Sequence, residues 1–92
     1  MMFDLLPGGR LVRRGLDDIA AGVTTDEALL VMIGAPRLRA LGVAVPSCGP
    51  SDPEIELYER LAANGANSAH ARYNALIRLL VSFERALQSA VR

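Results

Sequence analysis

From Ala69 to Ala90 an apolar residue returns at every third or fourth position. The set is Ala69, Tyr73, Leu76, Leu80, Phe83, Leu87 and Ala90, with spacings of 4, 3, 4, 3, 4 and 3. A β-strand repeats every two residues and cannot hold such a set on one side, whereas an α-helix can. Sustained over three heptads, the pattern describes a continuous apolar seam. Ile77, Leu79 and Val91 widen it to an arc of roughly 160°, and Asn67, His70, Asn74, Arg78, Arg85 and Gln88 fall on the opposite side. The spacing predicts one long helix over 68–91, against which the rest of the chain must pack.

The other segments read as shorter helices. In "GRLVRRGLDDIAAG", Val12, Leu16, Ile19, Ala20 and Val23 share one side at about 100° per residue, and Arg10, Arg13, Arg14, Asp17 and Asp18 share the other, giving a helix over 10–22. "TTDEALLVMIG" opens with a capping-box pattern, Thr24 and Glu27, and places Asp26 and Glu27 at the positive end of a helix. Ala28 to Ile33 is apolar all round, the signature of a buried central helix over 25–33. Gly34 and Pro36 are expected to end or bend it, leaving a short helical turn over 36–41. Residues 43–52, "VAVPSCGPSD", form a proline-rich connecting loop that holds Cys48. A third short helix follows over 53–63, with Ile55, Leu57, Tyr58, Leu61 and Ala62 inside, Glu54, Glu56, Glu59 and Arg60 largely outside, and Asn64-Gly65 as its stop.

The fold expected is all-α: a single helical domain over 1–92 in which three shorter helices pack on one long C-terminal helix. Hydrophobic residues are 51% of the chain, enough for a core without disulfides, and aromatics are only 4%, so aliphatic side chains must fill it. Length then becomes an argument about association. About 24 helical residues extend about 36 Å, while a compact domain of this size has a width of only about 32 Å. The shorter helices would leave the far end of the seam bare, and a bare apolar seam marks an association surface. Leu76, Leu80, Phe83, Leu87 and Val91 are therefore the expected interface, closed most simply by a twofold copy.

Function follows less directly. The row Asn67, His70, Asn74, with Arg72 at the flank of the apolar arc, is the candidate polar binding patch. Arg72 could pair with Glu56 or Glu59 of the third helix. Catalysis would need a partner that orients or activates the single histidine, and the nearest acid on its helix is Glu84, fourteen residues on. One His and one distant Cys supply too few ligands for a metal, so neither metal nor cofactor is expected. An enzyme with a site around His70 is the minor alternative. Net charge is zero, with ten arginines against ten acids and no lysine. The arginine bias fits a GC-rich, bacterial genome, and the missing basic excess disfavours a nucleic-acid partner. A helix-turn-helix through the "GAP" turn, with Arg37 and Arg39 reaching out, is the alternative on that side. No apolar run approaches the roughly 20 residues that span a bilayer, and "MMFDLLPGGR" lacks the basic start of a secretory signal, so a cytoplasmic protein is expected. The leading expectation is a small protein–protein interaction module, dimeric through its last helix. It would act as an accessory or regulatory subunit, of antitoxin type or bound to a larger protein.

Overall fold

A computed structural model describes residues 5–46 and 51–90. Four helices follow one another: α1 (Gly9–Ala20), α2 (Asp26–Ala40), α3 (Pro53–Ala63) and α4 (Ala66–Ala90). No strand occurs among the described residues. The all-α bundle expected from the spacing is the fold observed. Cys48 and Val91 lie outside the described residues.

α2 occupies the centre because it has no polar side to give to water. Ala28, Leu29, Leu30, Val31 and Leu38 are fully buried, and α2 packs against α1, α3 and α4 alike. Its start is fixed one residue later than the capping box implied. Thr25, not Thr24, is the N-cap: its Oγ1 accepts from the Ala28 amide at 3.1 Å. The same hydroxyl donates to Asp18 Oδ2 at 2.6 Å, so the cap is also tied to the end of α1.

α2 runs through Pro36 without a break, and the separate turn over 36–41 is corrected to the last turns of one helix. Proline has no amide to offer the carbonyl four residues back, and inside a helix it costs about 3 kcal/mol or more. What holds the helix together is tertiary. Leu38 is fully buried and Ala35 nearly so. A leucine in that position contributes about 1.5–3 kcal/mol, comparable to the proline penalty. Stopping at Gly34 would forfeit that burial.

α1 reaches α2 through a notch. Its buried residues are Gly9, Val12, Gly15 and Ile19, while Ala20 and Val23, expected inside, are exposed. A β-carbon at Gly15 would stand 2.4 Å from the Glu27 carbonyl oxygen, so only glycine permits this approach. α3 and α4 form an antiparallel hairpin through Asn64 and Gly65. Gly65 has φ 151°, a region open essentially to glycine. The hairpin is cross-linked to α2 where Arg60 Nε meets Asp26 Oδ1 at 2.9 Å.

α4 is the long element expected. Its 25 residues extend about 37 Å, against a greatest dimension of 40 Å for the molecule. Ala69, Leu80, Phe83 and Leu87 are buried as the heptad requires, and Tyr73 and Leu76 are partly buried against the core. Ala90 is exposed. Among the described residues no helix is long and apolar enough to cross a membrane.

Candidate functional site

The seam expected to bind a second copy is covered from within the chain. Phe83 is fully buried, Leu80 and Leu87 are each only 4% exposed, and Leu76 is partly buried. Three approaches cover it. Gly8, at the start of α1, would place a β-carbon 2.6 Å from the Leu79 carbonyl oxygen and 3.5 Å from Phe83 Cβ. Gly34 of α2 sits against the Leu80 methyls. Arg37 of α2 donates to Gln88 Oε1 at 3.2 Å near the end of α4. Leu80, Phe83 and Leu87 are therefore core residues within this chain, while Val91 lies outside the described residues.

The polar row stands in solvent. Asn67, His70 and Arg72 are exposed, and Asn74 is half-buried. Asn74 Nδ2 and His70 Nε2 are 3.1 Å apart, a contact one helical turn long on an open surface. Among the described residues Arg72 forms no ion pair with Glu56 or Glu59. The row shares a helix face, but no second element folds over it to make a pocket.

Glu84, at the other flank of the seam, is turned inward instead. It is 6% exposed, facing Gly34 of α2, with Arg37 Nε 3.9 Å from Oε1. Burial raises its pKa above the ordinary carboxylate value, and the Arg37 charge partly opposes the rise. Arg37 is thus directed at α4, and Arg39 Nε donates to the Val45 carbonyl at 3.0 Å. A helix-turn-helix would need a turn at Gly34 to Pro36 and these arginines free to reach outward. The continuous α2 supplies neither.

An apolar surface that resembles a binding site lies on the outside of the α3–α4 hairpin. Leu57 and Leu61, four apart, are the buried stripe of α3. Ile55 and Tyr58, expected inside with them, are instead 59% and 38% exposed. The reason is angular. α3 packs only on α2 and α4, and those neighbours cover the arc around Leu57 and Leu61. Ile55, two residues from Leu57, sits about 160° away on a helix. Tyr58 turns toward α4, where its ring meets Tyr73 with centroids 5.6 Å apart and planes inclined at 59°.

Beside these rings is a shallow groove of about 350 Å³ lined by Glu54, Ile55, Tyr58, Glu59 and Tyr73. Its floor is apolar and aromatic, and both charges at its edge are negative. Burial, and secondarily the Glu54 charge, raise the pKa of the Tyr73 phenol. A second hollow, at the start of α1, mixes Arg10 and Arg14 with Glu27 and so presents no single sign of charge. Among the described residues no group of three or more His, Cys, Asp or Glu side chains is placed to hold a metal ion.

The groove escaped the sequence reading because Ile55 and Tyr58 were counted as core. One signal could have found it: Ile55, Tyr58, Glu59 and Ala62 follow an i, i+3, i+4, i+7 spacing, a second face beside the one through Leu57 and Leu61. Comparison with family models, with curated proteins and with solved structures finds no match to this chain.

Proposed function

We propose that the protein is a small helical interaction module, an accessory or regulatory subunit that docks a partner protein on the α3–α4 face. The observation that carries this reading is the exposure of Ile55 and Tyr58 beside Tyr73, which together line one apolar groove. A rigid helical hairpin behind an apolar groove is the geometry that receives a short amphipathic helix or extended segment. Three apolar side chains make a small contact, suited to a transient or peptide-sized interface rather than an obligate one.

Charge argues for a partner of different sequence. A twofold copy docked groove to groove would bring Glu54 and Glu59 against their own duplicates, and like-charge juxtaposition costs several kcal/mol. A basic or neutral partner incurs no such cost. The test is site-specific photocrosslinking in the cells that make the protein, with a photoreactive phenylalanine at position 58 or at position 70. The reading expects a discrete adduct from position 58 and none from position 70. An adduct only from position 70 would move the site to the polar row, and an adduct at twice the chain's own mass would make the protein its own partner.

A further inference from the structure

We infer that the Tyr58–Tyr73 groove recognises an arginine side chain of the partner, taking its guanidinium against the two rings with Glu54 and Glu59 as countercharges. The inference rests on the docking reading and adds the chemistry of the group that is read. Four observations converge on it. The rings are tilted at 59° with centroids 5.6 Å apart, an edge-to-face pair in direct contact, so a cation would rest on a ring surface that the pair leaves open rather than between the rings. Tyr58 is exposed enough to offer its face. Both ionisable residues with carboxylates at the edge, Glu54 and Glu59, are acidic, and no basic residue lines the groove. The one arginine of α3, Arg60, is engaged with Asp26 on the far side.

An aromatic face attracts a cation through its quadrupole when the charge lies within about 6 Å of the ring centre. An exposed ring face takes a flat cation stacked on it. Guanidinium is planar, weakly hydrated and able to stack while its N–H edge reaches a carboxylate, whereas an ammonium is a strongly hydrated point charge. Ile55, which lines the same groove, offers apolar surface to the methylene stem of that side chain. Glu54 stands in the first turn of α3, where the helix end is positive and partly offsets it. Glu59, in the middle of the helix, therefore supplies the larger share of the attraction.

The composition provides the assay. Tyr58 and Tyr73 are the only tyrosines and there is no tryptophan, so intrinsic tyrosine emission reports on this groove alone. Two tripeptides serve as probes, acetyl-Leu-Arg-Leu-amide and its citrulline counterpart, which keeps the shape and removes the charge. Titrated into the full chain, the arginine peptide is expected to change the emission saturably. It should bind about threefold to tenfold more tightly than the citrulline peptide at low salt. The double variant Glu54→Gln, Glu59→Gln, with its fold checked by circular dichroism, should bring the two affinities close together. Tyr58→Leu, which retains apolar contact and both carboxylates, should narrow the difference without removing it. Equal binding of both peptides by the wild type would overturn the arginine inference and leave apolar docking standing. Binding of neither would overturn the docking reading as well.

Discussion

Replacing Gly15 by alanine sets two effects of opposite sign against each other, and the structure decides between them. In an exposed helix interior the change would stabilise by about 1 kcal/mol, because alanine is the better helix former. Here the added carbon would lie 2.4 Å from the Glu27 carbonyl oxygen, 2.8 Å from the Glu27 carbonyl carbon and 2.5 Å from Val31 Cγ2. Ordinary contact begins near 3.4 Å. A valine methyl could swing aside, but a main-chain carbonyl within a helix cannot. α1 and α2 must therefore part by about 1 Å. A gap of that size forfeits a quarter to a half of each dispersion contact it opens. The contacts affected are those that the buried face of α1, Val12 and Ile19 included, makes within the core shared with α2. Overpacking of this kind costs about 1–3 kcal/mol, and a main-chain clash belongs at the upper end. After the propensity gain, Gly15→Ala should lose about 2 kcal/mol, a fall in Tm of roughly 8–16 °C for a domain of this size. Urea or thermal denaturation followed by circular dichroism measures it. Equal or greater stability in the variant would show that α1 and α2 do not cross as closely as described.

Thr25→Ala removes the N-cap of α2 and the link to Asp18, and should lower stability by about 1 kcal/mol, seen as a lower urea midpoint. Glu84→Gln tests the buried carboxylate. Its folded pKa is raised, so the stability associated with the protonated form is complete below the ordinary carboxylate value and is lost as pH rises through the folded value. The variant should therefore have the higher denaturation midpoint at pH 7, with the two proteins converging as the pH falls toward 4. Leu87→Arg should abolish the cooperative thermal transition, because burial worth about 1.5–3 kcal/mol is lost and a charge enters a site only 4% exposed. A folded Leu87→Arg monomer would contradict the packing of α4 described here.

What could be read from the chain beforehand was the part governed by local periodicity. The 3-and-4 spacing from Ala69 to Leu87 located α4, its buried face and its polar row, because a helix repeats whatever its neighbours do. The all-round apolar character of Ala28 to Ile33 placed α2 at the centre for the same reason. The misses share another cause: each depended on a contact distant in sequence. Pro36 ends a helix in isolation, and here the burial of Leu38 keeps it going. Thr24 and Thr25 are equivalent as caps until Asp18, seven residues from Thr25, selects one of them. Nothing local marks Gly15 as the residue that lets α1 approach α2, because the atoms it makes room for belong to Glu27 and Val31. Tyr58 was assigned to the core on hydrophobicity, although how much of α3 is covered depends on how many helices surround it.

α4 is longer than each of the other helices, yet Leu80, Phe83 and Leu87 are buried within the chain. Cover does not require a single helix of equal length. α3, returning from Asn64 and Gly65, lies along the first half of α4 and accounts for Tyr73. The start of α1 meets the middle at Leu79 and Phe83. α2, crossing through Gly34 and continuing past Pro36, carries Arg37 to Gln88 near the far end. Because α2 continues past Pro36, Arg37 reaches Glu84 and Gln88 on the flank of α4 beside that seam. Leu79 of α4 is 40% exposed, so the hairpin offers apolar surface there as well as at the groove of Ile55, Tyr58 and Tyr73, where α3 has α2 and α4 as its helix neighbours among the described residues.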